Sequence, residues 1–379
     1  MLGRPDEDEL RVDAVVAPQL GGVLDDGTRP ARLLKVLEQE RDAHEQLSYA
    51  RVRRHDLPYA LPHPGAPVRV AFVGQRTYFE ACSLAAPAAG LVPAFVDYRG
   101  GAETAPMLGA LRRLDPHVVV VFRPEILPPG TMDAIAAPVV GFVTEPLPRP
   151  GRAAHRNHEY NLAELRRVDR GNVDRAILFD AGSWDAAAEL LPVWRAMPLP
   201  VDDRLYHAPT PSRRPPRIIF VGYSTMHREQ SILGLKHEFD LPHYAHGLMG
   251  AELDAVLAGA DVGLNVHGEE GLPTFENRVL LHLAAGSLVI SEVLEPPYGL
   301  EPNRDVLQVL NRDELGLRVR QLHRMPDLHD RIRIRGHHTS RRFAASKVWP
   351  RVIADLFADL RAFGTDRRPA AAAATTAAA

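Results

Sequence analysis

The chain contains a single cysteine, Cys82, among its 379 residues. One thiol excludes an internal disulfide framework and any cysteine-based zinc cluster. The surrounding sequence, FEACSLAAPAAG, is mostly apolar. It predicts that Cys82 lies buried on a helix face as an inert thiol rather than as a nucleophile.

Long apolar runs and a secretory signal are also missing. No run approaches the roughly 20 residues that a membrane-spanning helix needs. The first residues, MLGRPDEDELRVDAVV, are acidic, whereas a signal peptide begins with basic residues before an apolar core. We therefore expect no integral membrane segment and a cytoplasmic location.

Strong net charge of either sign is absent as well, since the formal charge is −3. This excludes a global field that would attract nucleic acid or anionic lipid. The stretch RGHHTSRR, residues 335–342, is locally basic, but it has no interleaved aromatic residues to stack on bases. We predict a solvated helix face there and no nucleic-acid partner.

The composition is that of ordinary folded domains, with 45% apolar and 25% charged residues. A chain of this length fits two domains of about 150 residues each plus extensions. Apolar strands alternate with helices in both halves, which predicts parallel sheets covered on both faces, the doubly wound α/β arrangement.

The first half has five predicted strands: VRVAFVG (68–74), LVPAFVDYR (91–99), HVVVVF (117–122), APVVGFVTEP (137–146) and RAILFDAG (175–182). Helices are predicted from the first strand through Ala89, over APMLGALRRLDP, and over WDAAAELLP (184–192). The proline-rich segment 197–216 has no sustained periodicity, so we place the domain junction there.

The pattern then restarts. Strands are predicted at RIIFVG (217–222), near LPHYAHG, and at DVGLNVHG, SLVIS and DVLQVL, with helices from about Arg228 and over AELDAVLAGA (251–260), TFENRVLLHLAAG and RDELGLRVRQLHRM. The predicted domains are an extension at 1–66, a first α/β domain at 67–205, a second at 206–350, a crossover helix at 351–364 and a disordered tail at 365–379.

The extension contains a predicted surface helix at residues 32–54, which is rich in helix formers and free of glycine and proline. It could pack against the first domain or pair with another chain, so oligomerisation through this helix is possible. The segment 57–67, with four prolines and a glycine, is predicted to be a linker.

Ligands of open parallel sheets bind at the loops that follow the carboxyl ends of the strands. In the first half these loops carry Gly74, Gln75, Arg76, Arg123, Glu125, Glu145 and Asp180. Glu145 is a candidate for acid–base chemistry, with Asp180 and Glu125 behind it, and a structural role is the alternative for each.

In the second half, FVGYSTMHRE places a glycine, small hydroxyl residues and Arg228 after a strand and near a helix start. That arrangement suits an anionic group such as a phosphate. An ordinary turn capped by Ser224 or Thr225 is the alternative, and the segment alone leaves both open.

The stretch LNVHGEEGLPTFENRVLLHLAAGS, residues 264–287, predicts a loop, a helix starting at Pro273 and Thr274, and a stop at Gly286. Glu276 would offset the helix dipole in the first turn. Arg278 opposes that dipole, so it should be stabilised by an anion or a carboxylate.

A metal site in this stretch would require His267, Glu269, Glu270 and His282 to converge. His282 lies eight residues into the predicted helix, about 12 Å along its axis, and the loop has no known ligand spacing. We therefore predict no metal site.

The second half resembles group 1 glycosyltransferases, and most nearly their CgeB-like, spore maturation branch. The resemblance covers residues 197–360 and rests on these segments in order: FVGYSTMHRE, HYAHG, AELDAVLAGADVGLNVH, ENRVLLHLAAGSLVIS, DVLQVLNRDELGLRVRQL and SKVWPRV. In the first half it rests on the architecture and on TEP at 144–146.

The resemblance implies the GT-B fold, in which two Rossmann-like domains face each other across a cleft. The second domain would hold a nucleoside diphosphate sugar, the first a hydroxyl acceptor, and the last helix would cross back to the first domain. The resemblance also implies transfer of a hexose with retained configuration at the anomeric carbon, without a metal or a separate cofactor. Glu145 would be the base if the enzyme inverts.

By position, the resemblance implies that Gly222 and Arg228 approach the donor diphosphate, that Arg278 binds phosphate, and that His267 and Glu276 lie beside the sugar or ribose. The implied donor-binding set is Gly222, Ser224, His227, Arg228, Gly247, His267, Glu276, Asn277 and Arg278. The implied catalytic set is Arg228, Arg278 and Glu145.

Two departures from the family pattern keep other functions open. Leu281 stands where these enzymes commonly have a glutamate that contacts the ribose, and their common lysine partner for the diphosphate is absent. A catalytically silent GT-B protein that binds a glycan or a partner is one alternative. A sugar-nucleotide epimerase is another.

Overall fold

The structure is a computed structural model that describes residues 55–63, 65–152, 155–367 and residue 369. The predicted surface helix at 32–54 and nearly all of the alanine-rich tail lie outside these residues. By compactness the chain divides into two units, one formed by residues 57–358 and 365–379 and the other by residues 1–56 and 359–364. Both sheets belong to the first unit.

The first sheet has six parallel strands in the order β2-β1-β3-β4-β5-β6. Their bounds are β1 Val68–Gly74, β2 Leu91–Asp97, β3 Val118–Phe122, β4 Val139–Val143, β5 Arg175–Leu178 and β6 Val193–Ala196. The central strands β3 and β4 are buried along their whole length, which explains their unbroken valine-rich sequence.

The helices between these strands are α1 Arg76–Phe79, α2 Thr104–Leu114, α3 Arg156–Leu165 and α4 Trp184–Ala188. The predicted helix through Ala89 is wrong beyond its first turn. A 3-10 turn at Glu80–Cys82 follows α1, and Ser83 then adopts extended backbone and donates its hydroxyl to the carbonyl of Glu80 at 2.8 Å.

The second sheet has five parallel strands in the order β11-β10-β9-β7-β8. These are β7 Ile218–Val221, β8 His243–Tyr244, β9 Val262–Asn265, β10 Leu288–Ser291 and β11 Leu307–Gln308. The helices that follow are α5 Met226–Glu238, α6 Gly250–Ala258, α7 Arg278–Ala284, α8 Arg312–Arg324, α9 Asp330–Ser340 and α10 Ala345–Phe363. The predicted architecture of two parallel-sheet α/β domains is confirmed.

The basic stretch at residues 335–342 is solvated on one side only, where His338, Arg341 and Arg342 are exposed. His337 and Ser340 are buried, and His337 Nδ1 lies 3.0 Å from the carbonyl of Leu283. Gly336 packs so closely on the chain that a Cβ would lie 2.1 Å from the carbonyl oxygen of Asp305. Helix α9 therefore packs with this buried side against Leu283 of α7 and against the chain at Asp305.

The last helix, α10, begins against the first sheet. Trp349 is fully buried, with its ring 5.0 Å from Phe72 and 6.3 Å from Phe122 between centroids. Its Nε1 donates to the carbonyl of Cys82 at 3.1 Å. Cys82 is itself buried, and burial raises the pKa of its thiol to about 12, as an inert thiol requires.

The first residues of the predicted disordered tail are bound to the rest of the protein, since Thr365 donates to Asp174 at 2.6 Å. Arg367 is buried and ion-pairs with Asp174 at 3.3 Å, and it donates to the carbonyl of Ala137 at 2.7 Å. The prediction of a disordered tail is therefore wrong at Thr365 and Arg367. Across the described residues, no helix is both long and apolar enough to cross a membrane.

Candidate functional site

Strands β7 and β9 are neighbours in the second sheet, so the loops after them meet at the sheet's carboxyl edge. Helix α5 follows β7, and Thr225 caps it by accepting a hydrogen bond from the backbone N–H of Arg228 at 3.2 Å. Ser224, the other predicted cap, instead donates to Glu229 at 2.7 Å. The cap fixes the first turn of α5 and with it the position of Arg228.

Arg228 lies under this edge, with only 2% of its surface exposed. Its Nη2 donates to both carboxylate oxygens of Glu276, at 3.1 and 3.0 Å. Nε donates to the carbonyl of Val266 at 3.0 Å, and Nη1 donates to that of Tyr223 at 3.1 Å. Every nitrogen of this guanidinium is thus held by the protein.

Arg278 shares the same carboxylate, because its Nη2 pairs with Glu276 and its Nη1 donates to the carbonyl of Val266 at 3.1 Å. The guanidinium lies against Gly222, where a Cβ would come within 3.0 Å of Nη2. Gly222 also has a φ of +151°, which L side chains rarely adopt. A glycine is required here for both reasons.

Arg228, Glu276 and Arg278 together form what we call the arginine triad. Burial would raise the pKa of Glu276, but Arg278, the nearby His267 and Arg228 outweigh it and lower that pKa to about 2. Burial lowers the pKa of Arg278 to about 10, which leaves it charged at neutral pH. Two cations and one anion leave the triad one positive charge in excess.

Two histidines flank the triad. His267 Nε2 lies 2.8 Å from the carbonyl of Val293, and its Nδ1 lies 3.6 Å from Glu276. His227 Nε2 lies 2.8 Å from Glu292, which also accepts the backbone N–H of His267 at 2.6 Å. The predicted residues 227, 228, 267, 276 and 278 therefore meet around one buried charge cluster.

The helix after this loop starts later than predicted. Helix α7 begins at Arg278, so Thr274 does not cap it and Glu276 is not in its first turn. Phe275 is buried against the rings of Phe179 and Tyr298, at 6.0 and 5.1 Å between centroids, and these contacts hold the preceding chain as a loop. Gly286 has a φ of +77° just after the helix, as the predicted stop requires.

Three predicted residues lie apart from the triad. Gly247 is exposed, with open space where a side chain would be. Asn277 donates to Cys82 Sγ at 3.1 Å and so contacts the first domain. His282 packs under Gly263, and burial lowers its pKa to about 3. Within the described ranges, no group of three or more His, Cys, Asp or Glu side chains is placed to hold a metal ion.

The first sheet has a second charge cluster at its own carboxyl edge. Arg123 follows β3 and pairs through Nε with Glu125 at 2.8 Å and through Nη1 with Glu145, which follows β4, at 3.9 Å. The third acid–base candidate, Asp180, has a structural role: it accepts from Ser183 at 2.6 Å and from Arg149 at 3.0 Å.

Ion pairs that the sequence did not predict connect the two domains. Arg149 lies 3.1 Å and Arg152 2.7 Å from the carboxylate of Glu295, and Asn157 donates to Glu269 at 2.9 Å. Both arginines follow β4 in a proline-rich loop. Their position after the carboxyl end of a strand is the sequence feature that could have predicted a role at this edge. The loops of the two sheets thus contact each other beside the two clusters.

No protein-family model matches the chain, and no curated protein matches it in sequence. Solved structures do match its fold. HepE of Anabaena in complex with UDP-glucose aligns with a TM-score of 0.50 at 11% identity, covering 76% of this chain and 99% of HepE. Sucrose-phosphate synthase of Thermosynechococcus elongatus aligns with a TM-score of 0.51 at 11% identity, covering 77% and 99%. The chain has the GT-B fold.

Proposed function

We propose that the chain transfers a sugar, of hexose type, from a nucleoside diphosphate sugar to a hydroxyl group of an acceptor. The observation that carries this proposal is the arginine triad, a buried cluster with one excess positive charge at the carboxyl edge of the second sheet. Buried guanidinium charge that the carboxylate of the triad does not balance favours a ligand of the opposite sign. A diphosphate has that sign and that edge is where open α/β sheets bind ligands.

In the proposed reaction, the bond between the anomeric carbon and the diphosphate oxygen breaks, and a bond forms between that carbon and the acceptor oxygen. The bonding electrons leave with the diphosphate, so negative charge grows beside Arg278 and Arg228. Fixed cations at such a position stabilise the transition state more than the ground state. The proton of the acceptor hydroxyl goes to the diphosphate if configuration is retained, and to Glu145 if it is inverted.

The remaining donor residues follow from the same assignment. Gly222 would let the diphosphate approach the backbone, and Ser224, His227 and His267 would line the donor site. Gly247 and Asn277, which lie apart from the triad, stay donor residues only by the resemblance. Glu276 would hold the two guanidinium groups in place, because Arg228 donates to both of its oxygens and Arg278 pairs with one of them. The two arginines supply the cationic charge, so the proposal includes no metal or separate cofactor.

The resemblance to group 1 glycosyltransferases favours retention, and the CgeB-like branch is our proposed assignment within them. The domain limits at 67–205 and 206–350, a cytoplasmic location and self-association through residues 32–54 stay predictions.

Turnover of a panel of nucleotide sugars by the wild-type protein and by Arg278→Ala tests the proposal. The variant leaves Arg228 and Glu276 as a balanced pair, so the fold should persist while the excess charge is lost. We expect turnover to fall by about 100-fold or more, as for the loss of one transition-state donor. Arg320→Ala, a surface arginine on Glu238, is the control and should keep wild-type turnover. Turnover unchanged in Arg278→Ala would refute the assignment.

A catalytically silent GT-B protein is the second candidate, and two observations favour it. All three guanidinium nitrogens of Arg228 are already bonded within the protein. Leu281, on α7, occupies the position of the family's ribose-binding glutamate. A silent protein would bind no nucleotide, so nucleotide binding separates the two candidates.

A further inference from the structure

The cluster at the carboxyl edge of the first sheet has the opposite composition to the arginine triad. Arg123 lies between Glu125 and Glu145, at 2.8 Å from the first and 3.9 Å from the second. We call these three residues the carboxylate triad. One cation and two carboxylates leave it one negative charge in excess when both are ionised.

Glu125 has an unused hydrogen-bond acceptor. Its side chain is only 7% exposed, and Oε1 accepts from Arg123. The other oxygen, Oε2, is buried and has no hydrogen-bond partner among the described residues. A buried carboxylate oxygen that lacks a donor is costly, and native proteins rarely leave one unless a ligand or a solvent molecule supplies the donor.

Glu145 adds a second carboxylate whose contact with Arg123 is loose. Nη1 of Arg123 lies 3.9 Å from it, and the side chain of Glu145 is 41% exposed. Desolvation raises the pKa of Glu145, Arg123 lowers it, and Glu125 raises it to a smaller extent. When both carboxylates are ionised, one further cation would balance the charge of the triad.

The backbone holds Arg123 in place for this arrangement. Its φ of +63° and ψ of +69° lie in the left-handed region, which few residues other than glycine adopt. Its N–H donates to the carbonyl of Phe142 at 2.8 Å, and its own carbonyl accepts from Ile126 at 3.1 Å. The backbone of Arg123 is thus fixed directly after β3 and against β4, which restricts where its guanidinium can lie.

We propose that the carboxylate triad binds a protonated primary amine, and that the acceptor is therefore an amine-bearing polyol, such as an amino sugar. The ammonium group donates to Glu125 Oε2 and balances the excess negative charge of Glu125 and Glu145. The identification of this amine compound as the acceptor rests on the proposed glycosyl transfer. The amine site itself rests only on the carboxylate triad.

Saturation-transfer NMR titrations with D-glucosamine and D-glucose test the site, because these probes differ only in an amine or a hydroxyl at one carbon. We expect glucosamine to bind the wild-type protein about tenfold more tightly than glucose, as one charge-assisted hydrogen bond would give. Glu125→Gln should abolish the preference. Glu189→Gln, which changes an exposed glutamate of the same domain, should retain it.

The panel of nucleotide sugars is titrated against the same proteins as an independent readout of the donor site. We expect Glu125→Gln to bind the same nucleotide sugars as the wild type does. If a nucleotide sugar binds but glucosamine shows no preference, or if Glu125→Gln keeps the preference, the amine site is refuted and the proposed function stands. If the preference depends on Glu125 but no nucleotide sugar of the panel binds, the amine site stands and glycosyl transfer is refuted.

Discussion

The two sheets carry charge clusters of mirror-image composition at corresponding edges. In the second domain one carboxylate, Glu276, bridges two guanidinium groups, and in the first domain one guanidinium, that of Arg123, lies between two carboxylates. The second-domain carboxylate has donors on both oxygens, whereas Glu125 has an oxygen without a donor. The carboxyl edge of a parallel sheet can thus carry a cluster with excess positive charge or one with excess negative charge.

The difference also separates stability from binding. Glu276 joins elements that lie 48 residues apart in sequence, so it contributes to the folded state. The carboxylate triad contains a looser contact and an oxygen without a donor, so we expect it to contribute less to folding. Both statements can be tested by changing the carboxylates one at a time.

The largest expected effect is that of Glu276→Gln on stability. Removing the carboxylate leaves two buried guanidinium groups facing each other without a counter-ion. We expect the free energy of unfolding to fall by about 3 to 5 kcal/mol, as for one broken buried pair. Chemical denaturation at neutral pH measures it, with Glu238→Gln on the surface as the control that should unfold with the wild type. Equal midpoints for the two variants would contradict the bridging role of Glu276.

Acidification should weaken the same triad. The folded-state pKa of Glu276 is lowered from 4.5 to about 2, so its contribution is present above pH 4.5 and is lost as the pH falls towards 2. By linkage the loss is up to about 3 kcal/mol. His282 acts in the same direction. Its folded-state pKa is lowered from 6.5 to about 3, so the free energy of unfolding also falls as the pH drops below 6.5.

Unfolding free energies measured from pH 5 down to pH 3 separate the two contributions. The curve of Glu276→Gln should fall less steeply than that of the wild type, because the variant lacks the slope that comes from Glu276. Parallel curves for the two proteins would show that Glu276 is not held ionised by the arginines.

The smallest expected effect is that of Glu125→Gln on stability. One oxygen of Glu125 already lacks a partner, and the amide can still accept from Arg123. We expect a loss of about 1 kcal/mol or less, measured by the same denaturation. A loss as large as that of Glu276→Gln would mean that the first cluster is a structural ion pair like the second, and the comparison between them would fail.

Much of the fold could be predicted from the sequence, because buried parallel strands are continuous apolar runs. The predicted strand at 68–74 matches β1 in both bounds, and valine-rich β3 and β4 lie where predicted. Helix α3 and strand β6 were not predicted. The helix has a largely polar sequence, and the strand is only half-buried, so neither shows the apolar pattern on which the prediction depends.

Part of the candidate site was also predictable. The position of Arg278 predicted a stabilising anion or carboxylate, and the structure provides Glu276. The later start of α7 was not predictable, because it depends on the burial of Phe275 against aromatic residues distant in sequence. Likewise, the unused oxygen of Glu125 depends on how neighbouring strands pack, and no local pattern records it.

The proposed function requires that the arginine triad binds the diphosphate of a nucleotide. Isothermal titration of UDP, ADP, GDP, CDP and dTDP into the wild-type protein and into Arg278→Ala tests it without requiring an acceptor. We predict that at least one of these nucleotides binds the wild type and binds the variant at least about tenfold more weakly, since one charge-assisted contact is lost. Absence of binding of all five by the wild type, or equal binding by the folded variant, would contradict the claim.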